Sequence, residues 1–233
     1  MRKRKFYFAA TGIVLLFCAT IGIFTRFSYQ ARMDIGNHFS QTAGYVLSLD
    51  DEEEYANQYF DNNIKSFEEL ENKSDLIVRV KPTSDRTLYN QAILSKVQVL
   101  QVYKKQNVRT EDFIYIFEPN YFHSRQYNAL YGYNIMTPDG EYIFFLKKIK
   151  APEGYRGSER EAITFLPVST LYGKFPAGQE REAKVISSLA LKSGQTTFRN
   201  VQDYEVLSTD QSRLDRYFAI RQEVMNHLQQ GGH

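Results

Sequence analysis

Four histidines are the first residues to consider for metal chemistry, since neutral imidazole is the commonest protein ligand for metal ions. They lie at His38, His123, His227 and His233, and no two of them are four residues apart. The sequence has neither an HExxH nor a CxxC motif, the spacings that bring such ligands together. We therefore expect no metal site and no cofactor in this chain.

Motifs for nucleophilic catalysis and for phosphate binding are also missing. The sequence contains no G-x-S-x-G, no Walker A motif and no G-x-G-x-x-G. Paired carboxylates need no local motif, because the two partners can meet only in the fold. Glu118, Asp139 and Glu141 are candidates for such a pair by their location. The alternative is that they are surface residues at strand ends and turns.

The segment 113–133, FIYIFEPNYFHSRQYNALYGY, is dense in aromatic residues. Its middle part, 119–130, is typical of a loop or an excursion between two strands. Aromatic rings beside polar side chains suit the binding of a peptide, a glycan or a partner protein, because they combine contact area with hydrogen-bonding groups. The candidate binding residues are Tyr121, Phe122, His123, Arg125 and Tyr127. The alternative is that these rings cap an open end of a barrel.

Charge is distributed unevenly along the 233 residues, which carry 29 basic and 27 acidic side chains. Five of the basic residues lie within 1–26, where no acidic residue occurs. Without those five, 24 basic residues face 27 acidic ones, so the rest of the chain has a net charge of −3. A slightly acidic domain lacks the basic surface of a nucleic-acid-binding protein, and we exclude nucleic acid as a partner.

Residues 6–24 form an uncharged apolar run, FYFAATGIVLLFCATIGIF, preceded by four basic residues. A helix of 19 residues spans roughly 28 Å, close to the thickness of the hydrocarbon core of a bilayer. The excess of basic residues before the run predicts a cytoplasmic N-terminus and an extracellular C-terminus. The sequence therefore predicts a single-pass protein of the cell membrane, with the bilayer as a partner of 6–24.

Two other interpretations of this segment remain open. A cleaved signal peptide would have a shorter apolar run and an A-x-A-like site, and TRFSYQARM after the run contains none. A lipoprotein signal would use Cys18, but the large Phe17 precedes it and the apolar run continues beyond it. Cys18 is the only cysteine, so the exported part has no internal disulfide, which favours a bacterial envelope over an animal secreted protein.

Alternating apolar and polar residues predict a mainly β (α+β) domain after a short stem. The expected strands are 75–81, ending at Pro82, then 92–103, 113–118, 131–136, 141–149 and 163–169, where Pro167 indicates an edge position. We expect short strands in 183–191 and 197–207, and loops at 151–161 and 170–179. One helix should run from Ser48 to about Leu70, and another from about Ser208 to Gly231.

These elements suggest five regions. We expect a cytoplasmic tail at 1–5, the transmembrane helix at 6–24, a membrane-proximal stem and helix at 25–73, a β-barrel domain at 74–180, and a C-terminal extension at 181–233 that ends in a helix.

Four stretches carry a resemblance to known proteins: SDLIVRVK (74–81), LSKVQVLQVYK (94–104), FIYIFEP (113–119) and PDGEYIFFLKKI (138–149). Their order resembles exported or membrane-anchored proteins of unknown function from low-GC Gram-positive bacteria. It is also similar to the OB-like barrel of netrin-type modules and metalloproteinase inhibitors. The resemblance covers about 74–175 and implies a small antiparallel barrel with flanking helices. It implies no catalytic residue, and the chain lacks the cysteines of the animal modules, so protease inhibition is not carried over.

Three hypotheses about function follow. The leading one is a non-enzymatic, membrane-tethered extracytoplasmic module that binds an envelope protein or a glycan. The second is an envelope hydrolase that uses converging carboxylates. The third is a structural subunit of a membrane complex, in which the transmembrane helix itself makes the contacts; Thr11, Gly12, Thr20 and Gly22 would supply small residues for packing, although no GxxxG motif occurs.

Overall fold

The computed structural model describes residues 2–28, 32–33, 35–50, 53–89, 91–104, 108–178 and 181–230. Its helices are α1 (Arg2–Ser28), α2 (Ile35–Thr42), α3 (Glu53–Asn57), α4 (Phe67–Asn72), α5 (Glu159–Ala162), α6 (Ser188–Lys192), α7 (Phe198–Val201) and α8 (Gln211–Gln230). Its strands are β1 (Arg32–Met33), β2 (Val46–Asp50), β3 (Leu76–Tyr89), β4 (Ala92–Lys104), β5 (Phe113–Glu118), β6 (Asn120–His123), β7 (Gln126–Leu130), β8 (Tyr142–Lys148), β9 (Thr164–Pro167) and β10 (Lys174–Pro176). The fold is mixed α+β and mainly β, with two sheets.

The larger sheet has the strand order β1-β3-β4-β5-β9-β8-β10, and β3 also pairs with β8. Its pairings are antiparallel except for β5 with β9, which run parallel. The strands predicted at 92–103, 113–118 and 141–149 are confirmed as β4, β5 and β8. The first two were recognisable because one face of each strand is buried, so apolar and more polar or exposed residues alternate along the sequence.

Two expectations based on prolines, at Pro82 and at Pro167, are wrong. β3 continues through Pro82 to Tyr89, so the predicted end at Pro82 is wrong. One edge of β3 pairs with β4. Along the other edge, the pairing with β8 ends at Val80 and the pairing with β1 begins at Arg86. Pro82 falls between them, where a missing amide costs no ladder bond to either strand. The predicted edge position of β9 is also wrong, because β9 lies between β5 and β8.

Both faces of the larger sheet are buried in part. One face is aliphatic and aromatic, and its buried residues include Val78, Val80, Val97, Val99, Ile114, Ile116, Phe144 and Leu146. The opposite face packs against α4 and α8, and its buried cluster includes Ile77, Ile143, Phe145, Leu70, Leu214, Tyr217 and Val224. Burial on both sides explains why β8 has a continuous run of apolar residues rather than an alternating one.

The smaller sheet has the order β2-β7-β6. β6 and β7 form an antiparallel hairpin, and β2 pairs with β7 in parallel. The segment 119–130 was expected to be a loop or an excursion between strands, and it is not a loop. It is a hairpin whose further partner strand, β2, comes about 80 residues earlier. A parallel partner so distant in sequence leaves no local pattern.

The helix predicted from Ser48 to about Leu70 is also wrong. Ser48 lies within β2 and pairs with Asn128, so it caps no helix. Two short helices, α3 and α4, are separated by a non-helical stretch, 58–66, in which Phe60 and Ile64 are buried. The cap that does form is at Ser66, whose Oγ accepts a hydrogen bond from the Glu69 amide at the start of α4.

The strand predicted at 131–136 does not form. Tyr131 and Gly132 have φ angles of +41° and +84°, which no strand residue adopts. A Cβ on Gly132 would lie 2.6 Å from the Leu207 carbonyl oxygen, so both the conformation and the space require glycine. The segment instead contacts the C-terminal region, where the Leu207 amide donates a hydrogen bond to the Gly132 carbonyl.

The C-terminal region contains short helices where strands were expected. α6 and α7 occupy parts of 183–191 and 197–207, and the only β pairings there are isolated bridges in the described residues. The final helix is confirmed as α8, although it begins at Gln211 rather than near Ser208. Asp210 caps it by accepting the Ser212 amide. β10 lies within the predicted loop 170–179 and pairs with β8.

Most of α1 coincides with the segment predicted to cross a membrane. The side chains of 6–10 lie outside the described residues. Among the residues whose side chains are described, no helix proves both long and apolar enough to span a bilayer. Ile13, Leu16, Phe17 and Phe24 are between 67% and 74% exposed, so these side chains do not pack on the described part of the chain.

Candidate functional site

The five residues predicted to bind a ligand all lie on the β6–β7 hairpin. Phe122 and Tyr127 are buried, and their rings pack against each other and against Phe198 of α7. These two rings belong to the buried cluster beside the smaller sheet, together with Leu47 and Phe198. His123 and Arg125 are exposed near the tip of the hairpin, and Tyr121 is half-buried. Binding by these residues stays a prediction.

Tyr127 holds the hairpin to the rest of the fold through its hydroxyl group. The hydroxyl donates to Asn134 Oδ1 at 2.8 Å and accepts from the Ile135 amide at 3.0 Å. Asn134 in turn donates to the carbonyls of Val201 and Tyr204. Burial raises the pKa of Tyr127 far above its ordinary value, so the hydroxyl remains a neutral structural hydrogen-bonding group.

The hairpin tip carries an unusual turn. Ser124 and Arg125, the two residues between β6 and β7, have φ angles of +48° and +62°. Such turns favour Asn-Gly, because other residues pay a steric cost in the left-handed region. The Arg125 carbonyl accepts the Val46 amide at 3.0 Å, which ties this turn to the start of β2.

The three carboxylates considered for catalysis have separate environments. Glu118 is fully buried at the end of β5, where Oε1 accepts from Ser95 Oγ at 2.5 Å and lies 3.5 Å from Arg86 Nη2. Its Oε2 accepts from the Met136 amide at 2.8 Å and from the Tyr133 hydroxyl at 3.1 Å. Both oxygens of Glu118 are therefore engaged within the fold.

Glu141 and Asp139 are placed differently. Glu141 forms a two-point ion pair with Arg79, in which Nε and Nη2 lie 2.9 and 2.5 Å from the same carboxylate oxygen, Oε2. Asp139 is exposed in the turn before β8. A groove of about 670 Å³ beside α8 has no Asp or Glu among its lining residues. Within the described residues, no His, Cys, Asp and Glu side chains come together in a group of three that could hold a metal ion.

A buried lysine accompanies the Glu118–Arg86 pair. Lys174 of β10 donates to the Asn134 carbonyl, and its Nζ lies 4.2 Å from the centre of the Tyr133 ring. Burial lowers the pKa of Lys174 to about 7, an effect that the Glu118 carboxylate partly opposes and that Arg181 and Arg86 reinforce. The Lys174 residue is only 3% exposed, so a substrate in solution has little access to it.

A different set of aromatic residues is exposed on the outer face of the larger sheet. Along β5, Ile114 and Ile116 are buried, whereas Phe113, Tyr115 and Phe117 point to the other side and remain at least partly exposed. Tyr89 at the end of β3 contacts Phe117 with ring centres 5.6 Å apart. We call Tyr89, Phe113, Tyr115, Phe117 and Tyr155 the aromatic surface.

Cationic side chains lie over this surface. Lys96 Nζ is 4.7 Å from the centre of the Phe113 ring, and the Arg160 guanidinium is 4.8 Å from the centre of the Tyr115 ring. Tyr155 is 55% exposed and donates its hydroxyl to Glu161 at 2.8 Å, which holds the ring beside α5. Tyr89 and Phe113 are each 44% exposed. Exposed rings that lie together in one patch, rather than singly, are typical of interaction surfaces.

The sequence analysis missed these five residues as a site, although Phe113, Tyr115 and Phe117 belong to the aromatic segment it singled out. The signal was present in FIYIFE, where isoleucine alternates with aromatic residues. If the aliphatic positions face the core, the rings must face outward. Tyr155 carried no such signal, because it lies in a loop about 40 residues away.

Comparisons with known proteins found no match: no protein-family model, no curated protein and no solved structure corresponds to this chain. A function for the chain therefore has to be argued from its own residues.

Proposed function

We propose that the chain is a non-enzymatic, membrane-tethered module that binds a protein partner in the cell envelope through the aromatic surface. The observation that carries this proposal is a patch of five aromatic side chains, of which Tyr89, Phe113 and Tyr155 are exposed and the other two are half-buried. Lys96 and Arg160 lie over two of these rings. Tyrosine, phenylalanine and arginine are enriched at the buried centres of protein interfaces, where exposed rings gain most from losing contact with water.

The tether is the segment predicted to cross the membrane, 6–24. Four basic residues precede it, and its described apolar side chains, among them Leu16 and Phe24, are exposed. Exposed apolar side chains on a helix are stabilised by transfer into a lipid bilayer. The proposal therefore places the N-terminus in the cytoplasm and the two sheets outside the cell.

We also propose that the larger sheet is an OB-like barrel. The pairings β3–β4, β4–β5, β5–β9, β9–β8 and β8–β3 return to the strand from which they start. Such a cycle of five strands supports the resemblance carried by 74–175, and it puts Phe113, Tyr115 and Phe117 on the outer wall of the barrel. Barrel-like closure would hold the rings of the aromatic surface in a rigid arrangement.

The envelope hydrolase is the weaker candidate. Glu118 is buried with both oxygens bound, and Glu141 is paired with Arg79, so neither is placed as a general acid beside a second carboxylate. The structural-subunit hypothesis rests on α1 alone and would assign no role to the aromatic surface.

The proposal can be tested with a photo-reactive phenylalanine analogue at position 113 of the full chain in its native membrane. We expect one discrete cross-linked protein, identified by mass spectrometry. The same analogue at Tyr59, which is 53% exposed in the non-helical stretch after α3, is the matched control and should give no such product. The product should disappear when Tyr89 and Tyr155 are both changed to serine.

Three results would contradict this proposal. Identical products from positions 113 and 59 would show that the cross-linking reports only proximity to abundant membrane proteins. A product that persists in the Tyr89→Ser/Tyr155→Ser variant would show that the aromatic surface makes no contribution. A product degraded by glycosidases and resistant to proteases would identify a glycan and overturn the assignment to a protein.

A further inference from the structure

A groove beside the last helix is a second site, separate from the aromatic surface. It encloses about 670 Å³ between α8 and the strands β3, β4 and β8. Its lining residues are Arg79, Tyr103, Ile143, Ala177, Gly178, Phe218, Arg221, Gln222, Met225, Asn226 and Leu228. Grooves that hold one small molecule have volumes of about 300–1,000 Å³. The size therefore suits one small ligand and is too small for a folded partner.

The groove has an apolar part and a cationic part. Ile143, Phe218, Met225 and Leu228 contribute apolar side chains, and Phe218 remains 38% exposed although it lies on a helix that otherwise buries its apolar face. Among the described residues that line the groove, Arg79 and Arg221 are the charged ones, and both are positive. An amphiphile with an anionic head and an apolar tail would match both parts.

The acidic partners of the two arginines lie outside the lining. Glu141 pairs with Arg79, and Glu205 lies 3.6 Å from Arg221 Nε. Glu141 uses only Nε and Nη2 of Arg79, and a guanidinium has five N–H donors in a planar fork. Arg79 is 39% exposed on its side chain, so its remaining donors can still reach a ligand in the groove.

We propose that this groove binds a single-chain carboxylate amphiphile from the aqueous phase, with Arg79 contacting the head group and Phe218, Met225 and Leu228 contacting the tail. Arg221 is 8% exposed and lies beside Glu205, which offsets much of its charge, so Arg79 is the residue assigned to the head group. Binding here requires neither the aromatic surface nor a particular partner protein.

The test uses the full chain in lipid nanodiscs and octanoate as the probe, with ¹⁹F-labelled octanoate observed by NMR. Octanol and octylammonium serve as neutral and cationic probes with the same tail, and empty nanodiscs correct for partition into lipid. We expect octanoate to bind at least tenfold more tightly than octanol, because a charge-assisted hydrogen bond is worth about one order of magnitude or more in affinity. Octylammonium should bind least.

Substitutions test separately how the charge of Arg79 and the open space of the groove contribute to probe binding. Arg79→Gln/Glu141→Gln removes both members of the ion pair and should weaken octanoate binding roughly 10- to 100-fold without changing octanol binding. Glu141→Gln alone leaves Arg79 without its carboxylate and should tighten octanoate binding several-fold. Gln222→Trp, at an exposed position of α8 that lines the groove, should block all three probes. Arg109→Gln, at an exposed arginine in the turn between β4 and β5, is the matched control and should change nothing.

Each alternative outcome overturns a defined part of the proposal. Equal affinities for octanoate and octanol would show that the groove does not select an anion. Binding that survives Gln222→Trp would show that the probes bind elsewhere. Absence of binding by every probe, with the variants folded as judged by circular dichroism, would rule out the groove as a ligand site.

Discussion

At the scale of single residues, the larger sheet contains charges that an apolar core would ordinarily exclude. Glu118 and Arg86 are buried at 0% and 1% exposure, and Ser95, Tyr133 and the Met136 amide complete the hydrogen bonding of the carboxylate. A buried ion pair of this kind adds little net stability, because desolvation offsets the attraction. It does specify which strands meet, since either charge alone would be costly to bury.

Lys174 provides a prediction at this scale. Its pKa is about 7 in the folded chain and about 10.4 in an unfolded one, so between these values the unfolded state holds one proton more. The free energy of unfolding should therefore rise with pH over this window, by about 1.4 kcal/mol for each pH unit from this residue alone. Below pH 7 both states are protonated and the slope from Lys174 vanishes.

Urea unfolding of the full chain in detergent micelles at pH 7.0, 8.0 and 9.0 measures this slope. We expect the Lys174→Met variant to lose most of this pH dependence of the free energy of unfolding. It should also be more stable than the original chain at pH 7.0. Lys184→Met is the control, because Lys184 is an exposed lysine whose side chain is 64% accessible. A slope that remains unchanged in Lys174→Met would show that the lysine is not buried as described.

At the scale of the elements, the β6–β7 hairpin shows strain at its tip. Ser124 and Arg125 both adopt positive φ angles, and neither residue type is favoured there. We expect Ser124→Asn/Arg125→Gly to raise the free energy of unfolding by about 1 kcal/mol, because Asn-Gly suits this turn without steric cost. Chemical denaturation of the full chain measures the change.

The control for this prediction is Ser124→Ala, which keeps the steric cost and should bring no gain in stability. A loss of stability in the Asn-Gly variant would mean that side-chain contacts of Ser124 or Arg125 outweigh the turn geometry. The same variant bears on the predicted binding residues, since it removes Arg125 while retaining the fold of the hairpin.

At the scale of the whole molecule, α1 separates a basic N-terminal end from a chain that is otherwise slightly acidic. We expect protease added to intact cells to digest a C-terminal epitope tag and to spare an N-terminal one, as the proposed orientation requires. Leu15→Arg/Leu16→Asp should release the chain from the membrane fraction, because each charge costs about 2.5–3.5 kcal/mol at the centre of a membrane helix.

Tyr59→Asp is the matched control, since it places a charge at an exposed aromatic residue outside α1 and should leave the chain in the membrane fraction. Protection of the C-terminal tag in intact cells would reverse the proposed orientation. Retention of the doubly charged variant in carbonate-washed membranes would locate the membrane attachment elsewhere in the chain.

The outcome of the sequence predictions depended on how far apart the interacting residues lie. β4 and β5 were recognisable, because each has one buried face and alternates accordingly over a few residues. The prediction of a helix starting at Ser48 was wrong, because Ser48 lies in β2 and pairs with Asn128. The residues next to Ser48 in the sequence carry no pattern that indicates this distant pairing. The burial of Phe122 and Tyr127 was equally invisible in the local sequence, since Phe198 of α7 packs on both rings from about 70 residues away.

Local patterns were enough to recognise β4 and β5 by their alternation, β8 by its apolar run, α8 by its apolar stripe, and the apolar run with basic flanks in α1. Which aromatic residues are buried, and which charges are paired, follows from contacts made in the folded chain. The period of a strand depends on its own backbone, whereas the burial of a face depends on segments far along the chain. Glu118 illustrates this, since β3, β4 and the segment after β7 all contribute to its environment.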